Sequence, residues 1–322
     1  DGGIGNDIIL GGSGQDTING GAGDDLLQGG LDADTINGGD GDDDIFANTQ
    51  GAPSGSGVAD VMNGGNGNDT ITGANGDDII NGDAGNDTLY GGAGNDTING
   101  GAGIDELHGG DGNDILDGGA FTGDLFGDAG DDIFLSAGGA YIDNVNGGTG
   151  TDQIGMSTHN FAIVLDLEAG TWSSAGPSSG TIVSIENVTG SYLADTITGD
   201  SGDNIINGGD GDDILEGGGG VDVVNGDAGD DTFLISGGWG GGAGEVFDGG
   251  AGSDTFDSSA LGSFDATVNL ATGNFTYTPG GAGFISLLNM ENANTGGGDD
   301  TLTGNASANN FDAGAGDDTF LV

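Results

Sequence analysis

The chain opens "DGGIGNDIILGGSGQDTINGGAGDDLLQGG" over residues 1–30, and cut after every ninth residue from Gly2 this reads GGIGNDIIL, GGSGQDTIN and GGAGDDLLQ. Glycine fills the first, second and fourth places, aspartate the sixth and an apolar residue the eighth. The pattern G-G-x-G-x-D-x-U-x, with U apolar, runs from Gly2 to Phe46, resumes from Gly55 to Gly155 with small irregularities, and returns over 190–257 and 295–321. Sixteen nonapeptides fit the looser form G-x-x-G-x-D-x-U-x, among them GGNGNDTIT at Gly64, GGAGNDTIN at Gly91 and GGDGDDILE at Gly208. Self-similarity at one fixed period marks a repeat architecture.

Each place has a chemical reason. Glycine reaches positive φ and close backbone approach without a side-chain penalty, so "GGxG" reads as a tight turn whose carbonyls point at one spot. The Asp two residues later adds a carboxylate there. The following "xUx", as in Thr97-Ile98-Asn99, reads as a three-residue strand with one inward apolar side chain. Two nonapeptides make one circuit, so neighbours 18 residues apart stack on the same side and pair in parallel. The expected fold is an all-β coil of stacked parallel strands.

The composition narrows the partners. The 322 residues hold 54 acidic side chains, two His and no Lys or Arg, where an ordinary chain of this length has roughly 35 to 40 basic residues. Phosphate backbones, anionic lipids and anionic polysaccharides are bound through Lys and Arg, so nucleic acid, acidic membrane and anionic polymers are excluded as partners. Hard multivalent cations prefer oxygen ligands, and calcium is the first candidate. There is no Cys, hence no disulfide and no thiolate metal site. No run of 18 apolar residues occurs and the first residues show no leader. Both ends lie inside repeats, so the chain reads as a piece of something longer. A solvated, Gly-rich acidic linker would share this composition, yet a linker has no reason to place Ile, Leu, Val or Phe on the eighth residue of each nonapeptide.

These nonapeptides resemble the repeats-in-toxin (RTX) family of secreted, hemolysin-type calcium-binding proteins. The resemblance implies an all-β, right-handed parallel β-roll in which each ion sits between turns two repeats apart, held by sixth-position Asp carboxylates and turn carbonyls. It also implies type I secretion, with folding delayed until external calcium is met. Carried over by position, the ligands are Asp7, Asp16, Asp25, Asp34 and Asp43; then Asp60, Asp69, Asp78, Asp87, Asp96, Asp105, Asp114, Asp132 and Asp152; then Asp195, Asp213, Asp222, Asp231, Asp254, Asp300 and Asp318. Three repeats depart from the pattern. GGLDADTIN has Asp32 where the turn wants Gly, GDSGDNIIN has Asn204 in the ligand place, and GGAFTGDLF has Gly123 there. The 18-residue circuit sorts the ligands into two columns, so that Asp60, Asp78, Asp96, Asp114 and Asp132 recur on one side while Asp69, Asp87 and Asp105 meet Gly123 on the other. One core residue per nonapeptide cannot offset glycine's entropy and a net charge of -54, so ion binding must supply the folding free energy.

Two stretches interrupt the pattern alike, from Phe161 and from Phe264. Val164-Leu165-Asp166-Leu167 matches Thr267-Val268-Asn269-Leu270, Trp172 matches Phe275, and Ile185-Glu186-Asn187 matches Met290-Glu291-Asn292, an offset of 103 to 105 residues. They read as longer strands that extend or cap the roll. The expected organisation is a roll over 1–155 with a loop at 47–54, an insert and roll over 156–257, and a second insert and roll over 258–322. Residues 235–239 read as a further surface loop.

No catalytic constellation emerges. His108 and His159 stand 51 residues apart without HExxH or other ligand spacing and read as surface histidines. Paired carboxylates could mimic a glycosidase, but their nine-residue recurrence explains them as ion ligands. No GxSxG elbow occurs with a partnered His. Trp172, Trp239, Tyr141, Tyr192 and Tyr277 lie at or near the irregular segments and read as packing there, a carbohydrate platform being the alternative. The expectation is a calcium-folded extracellular structural module without enzymatic activity: a rod, surface-layer, adhesin or filament segment, with possible self-assembly or cell-surface contacts. The alternative is a calcium-triggered folding and secretion domain of a type I-secreted exoenzyme or toxin.

Overall fold

The computed structural model describes residues 1–48, 57–119, 123–135, 144–176, 178–235, 244–278 and 285–321. Among the described residues, apart from one 3-10 turn, Ser259–Leu261, all regular structure is β. Two compact units are formed: Asp1–Gly155 with Pro177–Ile185, and Met156–Gly176 with Glu186–Val322.

In the first unit the chain alternates between two parallel sheets, one strand per nonapeptide. One sheet stacks Thr17–Ala22, Thr35–Asp40, Val61–Asn66, Ile79–Ala84 and Thr97–Asn99. The other stacks Ile8–Ser13, Leu26–Leu31, Asp44–Phe46, Thr70–Asn75, Thr88–Ala93 and Glu106–Asp111. Registers such as Ile18↔Ile36 and Leu89↔Leu107 are the 18-residue offset expected of a two-nonapeptide circuit. The eighth-place side chains point between the sheets, and Leu27, Ile36, Ile45, Met62, Ile71, Ile80, Leu89, Leu107 and Leu116 are fully buried.

Two details differ from the three-residue strand expected. Many strands run to six residues because pairing continues through the first glycines of the next turn, as in Gly21↔Gly39 and Ala22↔Asp40. Between Ile36 and Met62 the paired offset is 26 residues, so eight extra residues leave the coil without disturbing its register. Ala47, expected in that surface loop, is instead fully buried and its N–H donates to Thr72 O at 2.9 Å; residues 49–54 lie outside the described residues. Ile235 likewise is buried, its N–H donating to Asp257 O at 2.9 Å, and 236–239 lie outside the described residues.

The second unit repeats the two-sheet coil around two hairpins. Ile163–Asp166 pairs antiparallel with Thr171–Ser174, and Asp265–Asn269 antiparallel with Asn274–Thr278. The sequence equivalence of the two inserts holds in space: Leu165 faces Trp172 as Val268 faces Phe275, and all four are buried. Each hairpin's first strand also pairs in parallel with a later strand of the roll, Thr196–Thr198 and Thr301–Thr303 respectively. Ahead of the second hairpin the eighth place becomes aromatic, with Phe233, Phe247 and Phe256 buried in succession. Among the described residues no helix is long and apolar enough to cross a membrane.

The second glycine of the turn shows why the repeat demands this residue. Gly65 sits at φ 113°, and a Cβ there would collide with the carbonyl oxygen of Gly39 in the adjacent coil. Gly57 has open space around it. Gly65→Ala is therefore expected to destabilise the folded protein by at least ~1 kcal/mol through the φ penalty alone, with Gly57→Ala within about 0.5 kcal/mol of the parent. Thermal unfolding of the two variants checks this.

Candidate metal centre

The turns bring the sixth-position aspartates into ladders. In each, one carboxylate oxygen reaches back to the coil before it and accepts the backbone N–H of the aspartate there. One column of the first unit runs through Asp7, Asp25, Asp43, Asp69, Asp87 and Asp105, with N···Oδ1 distances of 2.7 to 2.9 Å. The other runs through Asp16, Asp34, Asp60, Asp78, Asp96, Asp114, Asp132 and Asp152 at 2.6 to 2.8 Å. The two-column sorting is thus present. The first column stops at Gly123, which occupies the sixth place and brings no carboxylate.

In the second unit Asp195, Asp213, Asp231 and Asp254 form one ladder at 2.7 to 2.9 Å, and Asp222 receives the N–H of Asn204 at 2.9 Å. Asp300 receives the N–H of Ala266 at 2.7 Å and donates its own to Asp318 at 3.0 Å. Asp32, at the fourth place of its turn, takes positive φ (73°) as glycine would, and the ladder passes through Asp34 beside it unbroken.

The second carboxylate oxygen is what these turns leave open. Oδ2 of Asp16, Asp69, Asp96, Asp114, Asp213 and Asp231, and of most other ladder members, is buried without a hydrogen-bond partner. It faces a small cradle. A Cβ built on Gly11 would stand 2.6 Å from Asp16 Oδ2 and 2.5 Å from the carbonyl oxygen of Gly29, one coil on, and the same pair of atoms crowds the first glycine of turn after turn. A buried acceptor beside carbonyl oxygens, with no donor supplied, is the donor set of a hard oxygen-seeking cation. Among the described residues no three His, Cys, Asp or Glu side chains gather at one point. The oxygens that each candidate site brings together are those of a carboxylate and of main-chain carbonyls.

Electrostatics point the same way. Burial pushes the carboxyls of Asp69, Asp96, Asp132 and Asp213 from the ordinary 3.8 up to about 7, and those of Asp43, Asp78, Asp87, Asp114, Asp222 and Asp231 to about 6. The N–H from the preceding coil opposes this in each case without cancelling it, and neighbouring carboxylates add to the rise in nearly all. A cation placed beside them inverts the balance.

Sequence reading missed three features. Glu291 takes a sixth place, its Oε2 receiving the N–H of Asp254 at 3.1 Å, and the fully buried Glu245 stands two residues before the inward Phe247. The signal was an acidic residue two places before a buried apolar one, hidden by the broken spacing. The fifth place, read as free, carries a second ladder: Asn6, Asp24, Asp42 and Asn68 each accept the N–H of the fifth residue one coil on, at 2.7 to 3.1 Å. Its signal was the recurrence of Asn and Asp before the sixth-place Asp.

The histidines separate. His108 lies stacked between Tyr90 and Phe126 at centroid distances of 4.9 and 4.7 Å, partly exposed and 3.0 Å from Glu106 Oε1. His159 corrects the surface reading: it is fully buried, with Nδ1 3.0 Å from Phe161 O and its ring edge-on to Trp172 at 5.9 Å, because the first hairpin closes over it. Trp172 is buried and Tyr277 stacks on Phe275 at 6.0 Å, so both pack at the inserts, while Tyr192 is exposed and donates to Asn160 Oδ1 at 3.0 Å. Trp239 and Tyr141 lie outside the described residues.

The raised carboxyls bind more protons folded than unfolded. In metal-free solution their contribution to stability is present near pH 4 and is lost as pH rises toward about 7. Circular dichroism in excess chelator is expected to show β signal gained on acidification from pH 8 to 5. A signal independent of pH would contradict the buried ladders.

A family model for the RTX calcium-binding nonapeptide repeat (4 copies) matches residues 1–36, 20–50, 54–89, 90–123, 189–224, 198–233 and 291–320, together more than half of the chain. No curated protein matches the chain. With the two-sheet coil and its oxygen-lined turns already in place, the chain belongs to the RTX calcium-binding nonapeptide repeat family.

Proposed function

We propose that this chain is an extracellular rod element that is expanded without calcium and sets into a β-roll when calcium is bound, serving as a segment of a surface layer, adhesin or filament. The observation that supports it most is the pair of carboxylate ladders: buried acceptors repeat along each column in a chain with no Lys or Arg to neutralise them. Nearly all of what is visible is scaffold. The sixth-position aspartates of the open turns are the ligands in this reading, with turn carbonyls completing each shell. Bound calcium neutralises the carboxylates and ties adjacent coils. The chain's own part is to hold Oδ1 against the preceding N–H, so that Oδ2 is aimed before the ion arrives.

Extracellular modules of this chemistry bind in the region of 0.1 to 1 mM, above cytosolic calcium, which separates the unfolded from the folded compartment. The chain is expected to gain β signal and contract on calcium addition and to lose both with chelator. Magnesium, which needs a smaller octahedral shell and keeps its water, should not replace calcium. Electron microscopy with and without millimolar calcium tests the rod: calcium-dependent rods or sheets are the expected result. An unchanged β signal in chelator would remove the coupling, and isolated particles at all calcium concentrations would favour a folding and secretion domain for a separate cargo.

Interior and edge ligands should differ. Asp96 is bonded on both sides, to Asp78 and to Asp114, whereas Asp7 has a ladder partner on one side only, Asp25. Asp96→Ala is expected to weaken two ions and Asp7→Ala one, counted by native mass spectrometry at limiting calcium. Equal losses would contradict ions shared between coils 18 residues apart.

A further inference from the structure

Among the described residues, three turns of the second unit close on themselves through a backbone N–H. In most open turns of the described residues the second residue takes positive φ, whether it is glycine, as at Gly65 and Gly209, or not, as at Asp83 and Asp227. Ser191, Asp200 and Asn305 hold that second place without positive φ, and each turns its backbone N–H inward to the sixth residue's side chain. Ser191 N–H donates to Asp195 Oδ2 at 2.6 Å, Asp200 N–H to Asn204 Oδ1 at 2.9 Å, and Asn305 N–H to Asn309 Oδ1 at 2.9 Å.

The remaining side-chain atoms are also engaged. Asp195 Oδ1 accepts the Ile163 N–H at 2.8 Å and the Ser191 hydroxyl at 2.9 Å. Asn204 Nδ2 donates to the carbonyl oxygen of Glu186, 18 residues back, at 2.8 Å, and Asn309 Nδ2 donates to that of Glu291, also 18 residues back, at 2.8 Å. A Cβ on Gly199 would stand 2.5 Å from Asn204 Oδ1, so this oxygen lies where an open turn keeps its orphaned Oδ2. Here, however, the oxygen is satisfied. Asn also lacks the carboxylate charge, and an inward N–H presents its positive end to the space a cation would need.

We propose that the turns ending at Asp195, Asn204 and Asn309 are ion-free, with a main-chain N–H standing in the place that calcium takes in the open turns. At Asn204 and Asn309 the side-chain amide also makes the bridge to the preceding coil that an ion makes elsewhere. The assignment rests on the reading that the open turns hold calcium. It removes Asp195 from the ligand set that its position in the repeat implies, and starts the ion ladders of this unit at Asp213 and Asp222.

Restoring the consensus tests it. The double substitution Asp200→Gly with Asn204→Asp turns GDSGDNIIN into an open-type repeat, and native mass spectrometry at saturating calcium is expected to count at least one ion more than in the parent. Asn204→Ser, which removes the bridging amide, is expected to leave the count unchanged. An ion lost in Asn204→Ser, or no ion gained in the double variant, overturns the proposal. A double variant that binds no calcium at all has failed to fold, and Asn305→Gly with Asn309→Asp then decides by the same count. A parent protein that binds no calcium overturns the calcium reading itself, a result distinct from either.

Discussion

Everything in this fold depends on burying like charges that the chain cannot neutralise. Each coil carries carboxylates inward, and with no Lys or Arg in the sequence there is no side-chain counter-ion for them. Moving an unpaired carboxylate out of water costs several kcal/mol even after relaxation. The apolar return is small, one side chain per nonapeptide, and glycine, with 79 residues, adds a large chain entropy to be overcome. In the function proposed here, cation binding and folding are therefore two descriptions of one equilibrium. Protons are the other available cation, which is why burial drives these carboxyls toward neutral pH.

The ladders explain why the repeat is so regular. The sixth-place side chain accepts from the coil behind, and the fifth-place side chain accepts from the fifth residue one coil on, so each coil is tied to both neighbours through side-chain oxygens and backbone N–H groups. Slipping the register would break both sets at once and turn the eighth residue away from the core. Insertions survive only where they leave and re-enter at the same point, as between Asp34 and Asp60, whose ladder bond of 2.6 Å spans 26 residues. Such a structure is a chain of nearest-neighbour interactions, in which the loss of one turn is felt chiefly by the coils beside it.

The period made most of this legible in the sequence. Sixth-place aspartates, eighth-place core residues and the 18-residue pairing each follow from nine residues per strand and two strands per circuit. Features set by side-chain conformation or by tertiary closure were not legible. The fifth place looked variable because Asn and Asp both serve as acceptor there and Gln15, Ile104, Thr151, Val221 and Ser253 interrupt them. Glu245 and Glu291 were hidden because inserts displace them from the nine-residue count. His159 looked exposed because nothing in its own segment shows that Trp172 and Phe161 will enclose it. The closed turns needed the φ of their second residue, and Ser191, Asp200 and Asn305 do not announce it: Asp adopts positive φ at Asp83 and not at Asp200.

In the second unit two ladders take their first N–H from a residue outside the nonapeptide pattern. Ile163 and Ala266 supply it, donating from the first strand of each hairpin to Asp195 and Asp300 at 2.8 and 2.7 Å. These donors bring no carboxylate. The hairpin strands instead bury Leu165 against Trp172 and Val268 against Phe275, which holds the donor in place by apolar packing. Each interruption thereby places a coil held by apolar packing at the point where a carboxylate ladder begins.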